Sequence, residues 1–281
     1  CECDLWVRHV NAVDEDNTEG FVYAASGLVA GEQMLFVAGY VTEGAVQICD
    51  AGENVNQPCT VATQATDCPG GACTTLDLDR TADESQHAFI GGYMQDGALA
   101  WARSLTSINT VDGYTPEESI HDMTFHNGVL YVVGHYCDDS DGQDDCQLIY
   151  TNLDDGSEDN LESDEDNDHA QAFILKVDAA TGDLATTEGS FISSYGGGNN
   201  SCDSFTMARA IAVDDNDNMY VAGTFQTPED DSGGCDVPTA EGMVYEHALF
   251  DGDIDALGGV APFDKEYIYV VRIGADGNAD G

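Results

Sequence analysis

The chain has 281 residues, 42% of them hydrophobic, enough to bury a sizeable core and too many for a globally disordered chain. Against 54 Asp and Glu stand 7 Lys and Arg, a formal net charge of −47. This excludes DNA and RNA as partners, because phosphate binding needs clustered Lys and Arg. No apolar run approaches the roughly 20 residues of a membrane helix, so no transmembrane segment is expected. Self-repulsion of this size opposes compaction unless salt or cations screen it. The near absence of lysine (Lys176 and Lys265) fits salty surroundings.

In chain order, Cys1 and Cys3 come first. They are too close to bridge each other easily, so they are candidates for the four-cysteine stretch downstream, for bonds to another chain, or, at Cys1, for lipidation. Leu5 to Val10 reads as a strand anchored by Trp6. A blurred hairpin turns at Ala30-Gly31-Glu32-Gln33 into the strand Leu35-Phe36-Val37-Ala38-Gly39-Tyr40. A polar, acidic insertion over residues 50–80 follows, holding Cys59, Cys68 and Cys73, with Cys49 at its edge. His87 to Tyr93 is the next strand. It leads through the Asp96-Gly97 turn to Leu99-Ala100-Trp101-Ala102-Arg103-Ser104-Leu105, which matches Leu5 to Val10.

The order then repeats. Met123-Thr124-Phe125 turns at His126-Asn127-Gly128 into Leu130-Tyr131-Val132-Val133-Gly134-His135. The insertion over residues 138–168 is flanked by Cys137 and contains Cys146. Gln171 to Val177 runs to the Thr181-Gly182 turn, and Phe191 marks a degraded anchor strand. In the third copy Ala210-Ile211-Ala212-Val213 turns through Asp214 to Asn218 into Met219-Tyr220-Val221-Ala222-Gly223-Thr224. Cys202 and Cys235 border that hairpin, residues 226–262 form the third insertion, and Tyr267 to Ile273 leads to Asp276-Gly277. The aligned glycines are Gly39, Gly134 and Gly223.

Each unit therefore holds about four strands, with approximate bounds 1–98, 99–183 and 184–281. The expected fold is all-β: one β-propeller-like domain over residues 1–281, made of three diverged four-stranded blades with long, disulfide-stapled insertions. The run A-I-A-V-D-x-x-x-N-x-Y-V-A-G-T-F in residues 205–225 resembles the bacterial extracellular β-propeller repeat family. So do A-F-I-x-K-x-D-x-x-T-G in residues 169–185 and the lead-in Tyr195-Gly196-Gly197-Gly198. The resemblance implies a propeller-type fold and leaves function open. Three blades are fewer than a closed ring normally uses. The N-terminal strand could complete the last blade, the chain could be a slice of a longer protein, or its open edges could pair with another copy.

The cysteines sit in even numbers within polar stretches, which points to local disulfides among Cys49, Cys59, Cys68, Cys73, Cys137, Cys146, Cys202 and Cys235 in an oxidising compartment. Cys1 and Cys3 are the candidates for intermolecular bonds. Calcium is the expected cofactor, because hard cations take closely spaced carboxylates. Asp251, Asp253 and Asp255 form one candidate set; Asp139, Asp141 and Asp144 form another. Neither completes an EF-hand loop, and Asp214 to Asn218 reads better as turn chemistry. His121 and His135 could share a face, with a metal or general-base role open to them; ordinary polar strand positions are the plainer account. Trp6 and Trp101 could stack on sugars, but their common repeat phase favours core anchors.

No nucleophile elbow or P-loop occurs, and the scattered Arg8, Arg80, Arg103, Arg209 and Arg272 form no sialidase-like cluster. The expected function is a non-enzymatic extracellular or cell-surface protein acting in structure or adhesion. It is expected to associate with itself, as in a filament or sheath, or with other surface proteins. The alternatives are a secreted glycan-binding module or polysaccharide-acting enzyme, and an acidic calcium buffer.

Overall fold

Period-two alternation of apolar residues, and near-continuous apolar runs where both faces are buried, give the strands of the computed structural model. It describes residues 11–12, 19–41, 44–49, 69–77, 87–109, 117–138, 146–152, 157–161, 171–185, 190–194, 205–226, 243–247, 254–256, 266–274 and 279–280. The first group of strands is β1 (Asn11–Ala12), β2 (Glu19–Val29), β3 (Glu32–Val41), β4 (Gly44–Cys49), β5 (Cys73–Asp77), β6 (His87–Met94) and β7 (Leu99–Asn109). Next come β8 (Glu117–His126), β9 (Val129–Asp138), β10 (Cys146–Asn152), β11 (Glu158–Leu161), β12 (Gln171–Asp178) and β13 (Ser190–Ser194). The last group is β14 (Phe205–Val213), β15 (Met219–Gln226), β16 (Met243–His247), β17 (Ile254–Ala256), β18 (Glu266–Ile273) and β19 (Ala279–Asp280). No helix occurs among the described residues, hence none long and apolar enough to cross a membrane.

Three antiparallel sheets carry the architecture, in the orders β2-β3-β6-β7-β10-β11, β8-β9-β12-β13-β16-β17 and β14-β15-β18-β19. None closes on itself. Four strands recur in the same order in each, β2-β3-β6-β7, β8-β9-β12-β13 and β14-β15-β18-β19, and each set begins with a hairpin whose turn residues fit its geometry. Ala30-Gly31 and Asn127-Gly128 both have positive φ at two successive residues, as a tight hairpin turn demands. The third turn is longer. Asp214 Oδ1 accepts from the amides of Asn216 and Asn218, a local Asx turn that replaces the glycine. The same hydrogen bonds, with that from the Asn218 side chain foremost, hold the Asp214 carboxyl below its ordinary range.

The insertions are not loops alone. The second and third each contribute a hairpin that extends the preceding sheet, whereas the first forms a separate three-stranded sheet with β1. Strand β10 pairs with β7, β16 pairs with β13, and β4 pairs with β1. The apolar run Leu148-Ile149-Tyr150 and the alternation in Val46-Gln47-Ile48 carry this signal, muted by the acidic surroundings. Among the described residues β1 joins β4 and not β18, whose outer neighbour is β19.

The sheets stack face to face. The back of the first sheet (Phe36, Ala38, Ala88, Ile90) packs on the front of the second (Leu130, Val132, Phe173, Leu175). The back of the second (Tyr131, Val133, Ala172, Ile174) packs on the front of the third (Met219, Val221, Tyr269, Val271). Trp101 is a core residue: its ring is buried and stacked near Phe36, and its indole N–H donates to the Ala179 carbonyl at 3.0 Å. Arg103 beside it grips the turn of the second unit, donating to the carbonyls of Gly182 and Thr181.

Candidate functional site

The three repeat glycines occupy equivalent places on the second strand of each unit. Gly39 lies opposite Phe89, Gly134 opposite Phe173 and Gly223 opposite Tyr269. On their other side they face Phe21, Ile120 and Ala208, and immediately after each of these the first strand bulges. A Cβ on Gly134 would run into the Ser119 carbonyl oxygen and the Phe173 ring. One on Gly223 would meet the Met207 carbonyl oxygen and the Tyr269 ring. Glycine is thus the residue that lets the bulged carbonyl and the aromatic ring both close on the second strand.

The bulged residues themselves are Val22, His121 and Arg209. A bulge re-aims a side chain, and here it brings the second and third units together. His121 Nε2 lies 2.7 Å from His135 Nδ1, with the two rings stacked at a centroid separation of 4.8 Å. Arg209 Nη1 lies 3.0 Å from His121 Nε2 and 3.4 Å from Nδ1, and its Nη2 contacts the Met207 sulfur. Burial, then the charges of His135 and Arg209, push His121 down to about 3.

That depression has a direction in stability. The folded state keeps His121 neutral while the unfolded chain takes a proton near pH 6.5, so this contribution is complete above pH 6.5 and is lost as pH falls toward about 3. Urea midpoints are expected to fall between pH 7 and pH 5 by less in His121→Gln than in the parent. An equal fall in both would assign the acid sensitivity elsewhere.

A second polar cluster joins the first two sheets and is fully buried. Glu118, from β8, meets His87 Nδ1 of β6 at 3.1 Å. Its Oε1 also accepts from the Ala88 amide, and its Oε2 accepts from the Ser107 amide of β7, each at 2.9 Å. Burial pushes the Glu118 carboxyl up, against the opposing pull of His87 and the two amides. In a chain with 54 acidic residues, nothing in the sequence distinguishes Glu118 from a solvated one. The cluster has no solvent access and reads as structural.

The last notable surface is the back of the third sheet. Ile268 is 83% exposed, Val270 66% and Tyr220 39%. Their equivalents by register on the second sheet, Ala172, Ile174 and Tyr131, are 0%, 2% and 5% exposed, because the third sheet covers them.

Of the residues singled out from sequence, Asp139, Asp141, Asp144, Asp251, Asp253, Cys1, Cys3, Cys59, Cys68, Cys202 and Cys235 lie outside the described residues, as does the Leu5 to Val10 strand with Trp6. Asp255 falls in β17, opposite Tyr245. Cys137 and Cys146 fall in β9 and β10. Cys49 and Cys73 stand directly opposite each other across β4 and β5. Among the described residues no group of three or more metal-ligating side chains assembles. No protein-family model and no curated protein matches the chain.

Proposed function

We propose that this is a non-enzymatic extracellular or cell-surface structural protein, a stack of β-propeller-type blades that associates head to tail with further copies of itself. The observation that carries this reading is the uncovered apolar back of the third sheet. The same positions on the two preceding sheets are buried by the next sheet in line. A second copy offers the matching surface: Leu35 and Val37, half-buried on the front of the first sheet, are equivalent to Leu130 and Val132, which already pack on such a back face. Such a heterologous contact continues instead of closing, which suits a filament or sheath.

Charge sets the condition. Copies carrying −47 each repel, so association needs salt or divalent cations, and calcium held by the acidic insertions would serve. The cross-strand position of Cys49 and Cys73 suits a disulfide staple in the first insertion.

Sedimentation velocity tests the proposal. The parent is expected to sediment as a monomer at low ionic strength and to form larger species at about 1 M salt, where the Debye length is about 3 Å. Ile268→Lys combined with Val270→Lys is expected to stay monomeric in both, with an unchanged circular dichroism spectrum. A parent that remains monomeric in salt and in calcium overturns the proposal.

A further inference from the structure

The sheets do not end alike. In the first, the repeat strands β2-β3-β6-β7 continue into β10-β11, and in the second β8-β9-β12-β13 continue into β16-β17. Each added pair is a hairpin that the following unit inserts between its second and third strands, and it lies against the fourth strand of the sheet it extends. The third sheet lacks this outer half among the described residues. Its β19 pairs only with Arg272 and Ile273, so on that side Glu266 to Val271 of β18 have no ladder partner among the described residues. An open strand edge of this kind is a template for pairing with another strand.

The small sheet β1-β4-β5 is the complementary piece. Hairpin β4-β5 is inserted between β3 and β6 as β10-β11 is between β9 and β12, and β1 precedes β2 as β7 precedes β8. Strand β1 is an edge of that sheet. The residues before it, Leu5 to Val10, match Leu99 to Leu105 of β7, with Trp6-Val7-Arg8 in step with Trp101-Ala102-Arg103. The small sheet is therefore a fourth strand and an insertion hairpin without the inner strands that such a pair extends elsewhere.

We propose that β1 of one copy, with the residues before it, adds antiparallel to β18 of a neighbouring copy. The small sheet and the third sheet then form one six-stranded sheet, β14-β15-β18-β1-β4-β5, with the order of the other two. The proposal rests on the head-to-tail reading and adds a backbone ladder to its face contact. The occupant is a second copy because, in both complete sheets, the extending hairpin belongs to the unit stacked on that sheet's back. Hairpin β10-β11 comes from the unit that covers the first sheet, and β16-β17 from the unit that covers the second. In the stack, the unit that covers the third sheet is the first unit of the next copy, which carries β4-β5. Strand addition draws its affinity from main-chain hydrogen bonds. Its register follows from the first sheet, where Ile90 lies opposite Arg103 and Ala88 opposite Leu105. Phe89 and Tyr269 each face a repeat glycine, so Val270 and Ile268 hold the places of Ile90 and Ala88. Val270 then stands opposite Arg8, and Ile268 opposite Val10. Asp280 already faces Arg272, so the shared ladder runs from Val7 opposite Val271 to Ala12 opposite Glu266.

The test mixes nitrogen-15-labelled and carbon-13-labelled full-length copies in equal parts, assembles them in high sodium chloride and sediments the product. Nitrogen-to-carbon transfer in magic-angle-spinning NMR then reads contacts between copies. Paired strands lie about 4.8 Å apart, within reach of such transfer. Cross peaks are expected between Val270 and Arg8 and between Ile268 and Val10, beside those of the stacked faces. Cross peaks from the stacked faces alone would overturn the shared sheet and leave the head-to-tail contact standing. The same pairings found only within single copies, in doubly labelled protein diluted into unlabelled protein, would mean that β1 adds to its own β18, and would overturn the proposal likewise. Failure of any species to sediment would remove the head-to-tail reading, and the shared sheet with it.

Discussion

Glu118→Ala is expected to cost about 3–5 kcal/mol, because it removes the shared acceptor of a fully buried hydrogen-bond cluster. The carboxylate serves three groups of the neighbouring sheet at once: His87 Nδ1 and the amides of Ala88 and Ser107. Alanine would take this acceptor from the Ala88 and Ser107 amides and from the His87 imidazole, and a buried donor that loses its acceptor costs about 1–3 kcal/mol. Domain stabilities are typically about 5–15 kcal/mol, so the variant would be marginal or unfolded. Glu118→Gln keeps the shape and one good acceptor oxygen, and is expected to lose about 1–3 kcal/mol. Urea unfolding of the two variants against the parent, in salt, makes the comparison. An alanine variant within 1 kcal/mol of the parent would mean that this carboxylate does not join the sheets.

Gly134→Ala is the second large effect, expected at about 3 kcal/mol or more. The obstacle is backbone: the new Cβ would meet the Ser119 carbonyl, which cannot withdraw without undoing the bulge, and the Phe173 Cζ at 2.6 Å. Gly223→Ala should behave alike, since the Met207 carbonyl and the Tyr269 ring stand in the same relation to it. Gly128→Ala is the control. It has φ of +84° and nothing near its absent Cβ, so its cost is confined to the left-handed backbone, about 1–2 kcal/mol. Thermal or urea midpoints that rank Gly128→Ala with the other two would refute the steric account of the repeat glycine.

The strands were legible because they obey local rules. Alternation marks Leu130 to Val133 and Met219 to Ala222, and Asn127-Gly128 and Asp214 to Asn218 carry turn chemistry within a few residues. The recurrence of Gly39, Gly134 and Gly223 was legible too, but its cause was not. A bulge adds one residue to one strand without changing its composition, so its register shift is visible only once the partner strand is known. His121 and His135 could be placed on one face, whereas Arg209 lies 88 residues from His121, and only the stacking of two units joins them. Glu118 was hidden by abundance, as one acid among 54. The insertion hairpins are hidden in the sequence because acidic residues around β10 and β16 mask their short apolar runs. Their partners also belong to the preceding unit, a connection that no local pattern encodes.

Placing a photoreactive benzophenone side chain at position 270, then irradiating the protein in high salt, tests the head-to-tail stacking most directly. The expected product is a cross-link between two copies, mapping to peptides of β3 that contain Leu35 and Val37. Cross-links found only within a single chain, or none between copies at concentrations where larger species sediment, would contradict it.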